Sequence, residues 1–409
     1  MPNLTQHRFR NTSKLAAMSS DSWDAAKKEQ LISLYVDSSD VGHIRDTDDG
    51  PTEFINMSCY SYLGLNRHSQ VIEGAIDALR HEGITSLGIA PTRIRSNLVK
   101  RTEEGLSDLF DAKCLVSLSC SVATSGLLPL ISSGHLANGG PRVTVFDKKA
   151  HFCMDWIKPI CADEAPVISA PHNDMDFLED VCRRNQSVAY IADGAYSLGG
   201  TANLDALLSL QDRYGLFVWF DDSHSLSVAG RNGEGMVRSH MGELNPLTVI
   251  SASLDKGFGC SGGVVMFDRE FDTSFVNTFA GPMCWSQSLN TPSLGSILAS
   301  TEIHASSELQ ELQTKLRQNI AYFDEMVPTE LTGSLLPIRS IHVGDASLTI
   351  ALSRLILENG FYCAASYFPI TARGREGLRV MLRADHRPED LVRFCTLLRN
   401  EVLPRVRVL

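Results

Sequence analysis

The chain has 409 residues, of which 43% are hydrophobic and 21% charged, and its formal net charge is −11. This length exceeds one average domain, and the composition is that of a globular protein that can bury a sizeable core. The negative charge argues against nucleic acid or an anionic membrane as the main partner. The sequence contains no long apolar run and no signal-peptide core near its start, so we expect neither a membrane span nor a secretory leader.

The ten cysteines are scattered along the chain and form no CxxC pair. Zinc-type spacing is absent, and a disulfide framework is unusual in a chain of this size. We therefore expect reduced cysteines, no bound metal and a cytoplasmic location.

Residues 1–55 are expected to form an N-terminal arm with a helix near Trp23–Tyr35 and an acidic loop at Asp37–Gly50. Short apolar runs then alternate with amphipathic stretches. The predicted strands are Cys114–Ser119, Arg142–Asp147, Val167–Ala170, Val188–Asp193, Leu216–Asp222, Thr248–Leu254 and Gly263–Phe267. The predicted helices are Gln70–Glu82, Lys100–Phe110, His151–Ile160, Met175–Arg184 and Leu204–Tyr214. This alternation predicts crossover connections and a mostly parallel sheet buried on both faces.

The pattern changes after Pro292, where a long helix is predicted at about Ser293–Phe323 and a final helix at Pro388–Arg405. Fewer strands are predicted between them. The expected fold class is α/β, with a large domain at 56–295 and a smaller α+β domain at 296–409.

Polar residues follow five of the predicted strands at the point where each strand ends. These segments are Cys120–Thr124, Lys148–His151, Gly194–Ser197, Asp221–His224 and Asp255–Gly257. Because ligands of open α/β sheets bind beyond the carboxyl ends of the strands, we expect one site assembled from these segments.

Two other motifs overlap this region. Gly257–Gly262 fits the dinucleotide fingerprint GxGxxG, and Gly259–Gly263 fits the GxSxG nucleophile elbow, for which His386 could complete a triad. Both motifs require a helix directly after them. Since Gly263–Phe267 is predicted as a strand, we disfavour both interpretations.

Lys256 alone could be a solvated lysine in a glycine-rich turn. Asp221, at the end of a wholly apolar strand, is costly to bury without a cationic partner, and a protonated pyridine nitrogen is such a partner. His224 follows in the same turn and can reach a phenolic oxygen on the same ring. Taken singly, a capping aspartate and a chance histidine remain possible.

Asp221–His224 and Ser251–Gly263 together resemble the α-oxoamine synthases of pyridoxal-phosphate (PLP) fold type I. Asn56–Leu65 resembles the entry motif of this family, Asp193–Gly200 its acidic glycine stretch, and Gly377–Arg379 its C-terminal substrate arginine. The motifs are closest to those of the serine palmitoyltransferase and 8-amino-7-oxononanoate synthase members. The resemblance implies an aminotransferase-like fold and pyridoxal 5'-phosphate as the cofactor.

The resemblance also implies roles around the cofactor ring. Lys256 would form the Schiff base and then act as acid and base at the substrate α-carbon. Asp221 would keep the ring nitrogen protonated, and His151 would stack on the ring face. His224 and Ser197 would contact the ring oxygen.

The phosphate is expected on the backbone N–H groups of Ser121 and Val122, with a hydroxyl from Ser253. The family's sites lie at a dimer interface, so Ser288 would reach the phosphate of the partner subunit in a homodimer. Tyr60, which belongs to the entry motif, is expected to contact the substrate.

Arg379 offers a planar fork for the amino acid carboxylate, with Arg375 and Arg383 as alternatives.

The implied reaction joins an amino acid to an acyl-CoA or acyl-carrier-protein thioester, with loss of carbon dioxide and release of an α-aminoketone. Another fold-type-I activity, such as that of an aldolase, a transaminase or an amino acid decarboxylase, is the alternative. A regulatory subunit without the lysine is the non-enzymatic alternative, and the presence of Lys256 argues against it.

The sequence departs from the family pattern in three places. Asp255 precedes the lysine where the family often has Gly or Ser, and no glycine follows His224 until Gly230. The loop Ser86–Asn97 replaces a glycine-rich substrate loop and carries bulky residues such as Ile89. We therefore expect a specialised substrate.

Overall fold

The computed structural model describes residues 12–37, 43–46, 53–85, 87–136 and 139–406. Most of the acidic loop expected at Asp37–Gly50 lies outside these residues, as do the first eleven residues of the chain.

The helices are α1 Thr12–Lys28, α2 Ser69–Glu82, α3 Asn97–Phe110, α4 Cys120–Ser132, α5 Phe152–Asp155, α6 Lys158–Glu164, α7 Met175–Arg184, α8 Leu204–Tyr214, α9 Gly235–Met241, α10 Val276–Phe279, α11 Gly281–Cys284, α12 Thr291–His304, α13 Ser307–Met326, α14 Ala346–Glu358, α15 Pro388–Leu397 and α16 Leu403–Val406. The strands are β1 Val36–Asp37, β2 His43–Asp46, β3 Glu53–Asn56, β4 Lys113–Ser117, β5 Val143–Asp147, β6 Val167–Ala170, β7 Val188–Asp193, β8 Phe217–Asp221, β9 Thr248–Ser253, β10 Gly263–Phe267, β11 Ile338–His342, β12 Phe361–Tyr362, β13 Ala364–Ser366 and β14 Gly377–Met381. All seven predicted strands of the large domain are present.

The chain forms two compact units. One unit is Leu65–Glu311, and the other combines Met1–Gly64 with Leu312–Leu409. The second unit is discontinuous because β3 pairs with β12, with Ile55 opposite Phe361. This differs from the consecutive arm and small domain expected from the sequence, since backbone pairing joins the two ends of the chain.

The unit Leu65–Glu311 contains a seven-stranded sheet in the order β4-β10-β9-β8-β7-β5-β6. The neighbours from β9 to β6 are parallel, and β10 is antiparallel to both β4 and β9. Every residue of β8 is buried, and the indole of Trp219 is fully enclosed. The mostly parallel sheet buried on both faces is confirmed.

Two of the predicted helices are interrupted. The helix expected at His151–Ile160 breaks between α5 and α6, where Pro159 lies in the first turn of α6 and has no N–H for the preceding turn. The helix expected at Ser293–Phe323 breaks between α12 and α13. There Ser306 Oγ accepts a hydrogen bond from the Glu308 N–H (3.2 Å) and starts a new helix.

The other unit contains a four-stranded sheet in the order β1-β2-β3-β12 and a three-stranded sheet in the order β11-β14-β13. Helix α1 ends at Lys28 rather than continuing towards Tyr35, because Gln30 adopts a left-handed conformation with φ of 52°. The Trp23 ring packs edge-on against Tyr367 with centroids 5.1 Å apart. Among the described helices, none is long and apolar enough to cross a membrane.

Candidate active site

The ends of neighbouring parallel strands bring three polar side chains into one row. The register pairs Asp193 at the end of β7 with Asp221 at the end of β8, and Asp221 with Ser251 on β9. All three residues are buried. The predicted site at the carboxyl ends of the strands therefore has two buried carboxylates side by side.

Asp221 is held by the turn that follows its own strand. Its Oδ1 accepts hydrogen bonds from the N–H (3.1 Å) and the hydroxyl of Ser223. The Ser223 oxygen in turn accepts the N–H of Ser253 at 2.8 Å. One serine thus fixes the carboxylate against the end of β9, close to the turn that carries the lysine.

The other carboxylate oxygen of Asp221 faces two thiols. Cys120 Sγ lies 3.4 Å and Cys153 Sγ 3.8 Å from Oδ2. Thiols are weak hydrogen-bond donors. A positively charged N–H of a bound ring would be a much stronger donor to this oxygen.

The Asp193 carboxylate, next to Asp221, interacts with both Lys256 and His151. Burial and the adjacent Asp221 carboxylate raise the pKa of Asp193 well above its ordinary value, whereas the His151 N–H and the Lys256 ammonium act in the opposite direction. The His151 N–H donates to Asp193 Oδ2 at 2.9 Å. Lys256 is therefore close enough to Asp193 for its charge to affect that carboxylate.

His151 caps the short helix α5. Its Nδ1 accepts the Cys153 N–H at 3.3 Å and lies 3.1 Å from Cys153 Sγ. The residue as a whole is exposed, although its backbone is tied to Asp193. The imidazole is thus anchored through Nδ1, and its stacking on a flat ligand stays a prediction.

Lys256 lies in a closed loop between β9 and β10. Leu254 N–H donates to the Gly262 carbonyl (2.9 Å) and Cys260 N–H to the Leu254 carbonyl (2.8 Å). Gly257 is required here, because a Cβ at this position would approach the Leu226 carbonyl to 2.7 Å. The lysine loop therefore packs directly on the turn that follows β8.

That turn carries His224, which is buried. Ser227 in the same turn has a positive φ of 68°, and its hydroxyl pairs with His304 Nε2 at 2.8 Å. The His304 ring stacks on Phe258 with centroids 4.3 Å apart. A fully buried histidine thus joins the His224 turn to the Lys256 loop, and burial lowers its pKa to about 4.

Asp255, the unusual neighbour of the lysine, is exposed, and its carboxylate accepts a hydrogen bond from the Ser253 hydroxyl. Ser253 is the residue expected to bind phosphate. Its hydroxyl would have to turn from Asp255 to do so, and the nearby carboxylate would repel the phosphate.

The phosphate is expected at the beginning of α4. Ser119 is the N-cap, and its hydroxyl accepts the Val122 N–H at 3.2 Å. The backbone of Gly263 lies against this turn, where a Cβ would come within 2.4 Å of the Cys120 nitrogen. A phosphate that binds the Val122 N–H would have to replace the hydrogen bond from that N–H to the Ser119 hydroxyl. Ser121, at the same end of the helix, is exposed.

Two further predicted cofactor residues lie in the same unit. Ser197 is half-buried in the turn after β7. Ser288 lines a small cavity together with Val122. The cavity is also lined by Arg95, which donates to the buried Glu103 carboxylate at 2.5 Å. The contacts of Ser197 and Ser288 with a cofactor stay predictions.

The predicted substrate residues belong to the other compact unit. Arg379 is half-buried on β14, and Tyr60 is 43% exposed. Arg375 is exposed and paired with Glu330, and Arg383 is buried 3.1 Å from a carboxylate oxygen of Asp385. Arg379 stays the first candidate for the carboxylate because it belongs to the Gly377–Arg379 motif, and Arg375 and Arg383 stay the alternatives.

The two motifs disfavoured on sequence grounds are excluded by the structure. Gly263–Phe267 is strand β10, which pairs with β4 and β9. No helix N-terminus follows Gly257–Gly262, so neither a dinucleotide fingerprint nor a nucleophile elbow can form there.

Several residues that contact the predicted site residues or their loops were missed in the sequence analysis, namely Ser223, Cys120, Cys153 and His304. Ser223 could have been found, since it follows Asp221 by two residues at a strand end. Cys120 and Cys153 gave no signal beyond their positions after predicted strands. His304 is distant in sequence and could not be assigned without the fold.

The residues present fit pyridoxal phosphate. The observation is the buried Asp221 oxygen, for which the recorded donors in the described part of the chain are two weak thiols. A ring with a protonated nitrogen would satisfy it. The capped N-terminus of the 13-residue helix α4 follows β4 at the same edge of the sheet, and the charge of Lys256 acts on the neighbouring Asp193 carboxylate.

Comparisons with known proteins agree. Residues 158–398 match the family described as "Aminotransferase class I and II". The chain is 28% identical over 353 residues to 8-amino-7-oxononanoate synthase from Alkaliphilus metalliredigens, covering 83% of this chain and 85% of that protein. It is 26% identical over 375 residues to the enzyme of the same name from Marinomonas sp., covering 88% of each.

Solved structures show the same fold. Serine palmitoyltransferase from S. paucimobilis superposes with a TM-score of 0.81 at 19% identity, covering 98% of this chain and all of that one. 8-Amino-7-oxononanoate synthase from Francisella tularensis gives a TM-score of 0.69 at 20% identity, covering 85% and 98% of the two chains. The chain belongs to the class I and II aminotransferase family, and within it to the PLP-dependent α-oxoamine synthases.

Proposed function

We propose that this enzyme condenses an amino acid with an acyl thioester at the site formed by Asp193, Asp221 and Lys256, with loss of carbon dioxide. The observation that carries the proposal is a lysine in a loop closed by backbone hydrogen bonds, whose charge acts on Asp193, one of two buried carboxylates at adjacent strand ends. When bound, the cofactor supplies an electron sink for the bond broken at the substrate α-carbon.

Asp221 and Lys256 have different proposed roles, which follow from their positions. The Asp221 carboxylate, fixed by Ser223, accepts the hydrogen bond of a protonated ring nitrogen. Lys256 Nζ holds the cofactor and later moves the proton at the substrate α-carbon. The rigid 254–262 loop limits where Nζ can reach, so the proton is removed from one face.

His151 covers one face of the reacting group. Its backbone is fixed to Asp193 and its Nδ1 accepts the Cys153 N–H, and we assign to its Nε2 the role of orienting a carboxylate or a new carbonyl oxygen. Burial and the neighbouring Asp221 carboxylate raise the pKa of Asp193, so burial of two carboxylates side by side favours uptake of a proton at Asp193.

The amino acid carboxylate is proposed to bind Arg379, with Tyr60 as a second contact. A guanidinium can make two parallel hydrogen bonds to a carboxylate, and a lysine cannot. Arg379→Lys should therefore raise KM for the amino acid far more than it lowers kcat. An unchanged KM would assign the carboxylate to another cation.

We also propose that the protein works as a homodimer. Large apolar side chains in the unit Leu65–Glu311 are exposed in the single chain, among them Ile84 (65%), Ile94 (57%) and Trp285 (62%). A second copy of the chain would bury such a surface. Ser288 is the residue expected to reach the partner's phosphate, and sedimentation measurements on Ile94→Asp would test the interface.

The activity is tested by incubating purified holoenzyme with amino acids and acyl thioesters, supplied both as CoA esters and on a carrier protein. The proposal expects equal release of free thiol and carbon dioxide that depends on both substrates. Carbon dioxide without the thioester would indicate a decarboxylase, and exchange with a keto acid a transaminase. Release of an aldehyde would indicate an aldolase.

A further inference from the structure

Four potential metal ligands converge at the ring-nitrogen end of the site. His151, Cys153 and Asp221 each offer a ligand atom, and these atoms all lie within 4.8 Å of one another. Cys120 adds a second thiol on the same carboxylate oxygen. The four residues come from the ends or beginnings of three different elements, which explains why their sequence spacing gave no metal signature.

Three of the distances between these atoms are close to those of a tetrahedral site. Zinc bonds of about 2.3 Å to sulfur and about 2.0–2.1 Å to nitrogen or oxygen place neighbouring ligand atoms about 3.5 Å apart. His151 Nδ1 is 3.1 Å from Cys153 Sγ, Cys153 Sγ is 3.8 Å from Asp221 Oδ2, and Cys120 Sγ is 3.4 Å from the same oxygen. The ligand atoms of His151, Cys153 and Asp221 lie within 4.8 Å of one another and would draw up to about an ångström closer around an ion, whereas Cys120 lies outside that group and would move further to become the fourth ligand.

The chemistry of the donors selects the class of ion. Two thiols and an imidazole suit borderline and soft ions such as Zn²⁺, whereas Mg²⁺ and Ca²⁺ prefer all-oxygen sites. Both cysteines and the aspartate are buried, and His151 is exposed at the mouth. An ion would enter past His151 and replace its bond of 3.3 Å to the Cys153 N–H.

We propose that the enzyme without its cofactor binds one Zn²⁺-class ion through Cys120, Cys153, Asp221 and His151, and that this ion excludes the cofactor. Binding forms four metal–ligand bonds and releases the two thiol protons to solvent, with no change of oxidation state. The exclusion follows because Asp221 Oδ2 cannot bind the metal and the ring nitrogen together. This second part rests on the proposed role of Asp221.

The test uses the full chain stripped of PLP and titrated with Co²⁺ as a spectroscopic substitute for Zn²⁺. The expected result is one tightly bound Co²⁺ per chain, with a thiolate-to-cobalt charge-transfer band and the intense visible bands of a tetrahedral site. The band should be lost in Cys153→Ser and weakened in Cys120→Ser. Cys161→Ser, a buried cysteine on α6, is the matched control and should keep it.

Zn²⁺ should bleach the cobalt bands, and holoenzyme given Co²⁺ should show none. A featureless octahedral cobalt spectrum, or bands that survive in Cys153→Ser, would overturn the site. Co²⁺ that binds unchanged after full cofactor loading would overturn the exclusion. The cofactor's own visible band, recorded on metal-free holoenzyme, tests the proposed function separately, because it does not depend on either cysteine binding metal.

Discussion

Replacement of Asp221 by asparagine tests the negative charge that we propose as the partner of the cofactor's ring nitrogen. The amide keeps the oxygen that accepts the two Ser223 hydrogen bonds, so the fold around it should persist. What is lost is the negative charge on Oδ2. A hydrogen bond to a charged group contributes about 1.5–3 kcal/mol, and about 1.4 kcal/mol corresponds to a factor of ten.

We therefore expect Asp221→Asn to bind PLP about 10- to 150-fold more weakly. Its kcat should fall further at saturating cofactor, because a neutral ring nitrogen is a poorer electron sink. PLP affinity is measured by fluorescence titration of apoenzyme, and kcat by thiol release.

Asp222→Asn is the matched control. Asp222 is the adjacent residue and is also buried, but burial raises its pKa to about 7, so near neutral pH its carboxyl is already half protonated. An amide there removes only part of a negative charge, so PLP affinity should fall much less than in Asp221→Asn. Equal losses in the two variants would refute the reasoning, since the effect would then come from packing rather than from the Asp221 charge.

Three further variants probe the supports of the site. In Gly257→Ala the new Cβ would meet the Leu226 carbonyl at 2.7 Å, so thermal unfolding should show a loss of about 1–3 kcal/mol with weaker PLP binding. Gly281→Ala, which meets nothing within 4 Å, should show no loss. For His304, the folded pKa of about 4 lies below the ordinary 6.5. Its contribution is thus present above 6.5 and lost as pH falls towards 4, up to about 3 kcal/mol. Denaturant unfolding of His304→Gln should show a flatter pH dependence over that range, and parallel curves would contradict this. Asp255→Asn should bind PLP a few-fold more tightly by removing a carboxylate beside the phosphate; weaker binding would show that the carboxylate helps to build the site.

The sheet could be predicted because its strands carry a strong local signal. Phe217–Asp221 is wholly apolar up to its last residue, and a parallel sheet buried on both faces requires such strands. The positions of Asp193 and Asp221 at strand ends followed from the same pattern, whereas the pairing that places the two strands side by side is seen only in the fold. Their hydrogen bonds and charges were decided by neighbours that only the fold brings close.

The helix boundaries were harder, since capping overrides periodicity. The apolar pattern continues across Ser306, yet that serine caps a new helix, and Pro159 restarts another. The pairing of β3 with β12 joins segments about 300 residues apart, and no local sequence pattern predicts it. His304 reaches the site through such long-range packing as well.

The central claim concerns which lysine holds the cofactor. Holoenzyme is reduced with borohydride, digested, and the pyridoxyl-lysine peptide is identified by mass spectrometry, with Lys256→Ala and the exposed Lys148→Ala treated in parallel. The account predicts the label at Lys256 in the parent and in Lys148→Ala, and no label in Lys256→Ala. A label on any other lysine of the parent, or none at all, would contradict it.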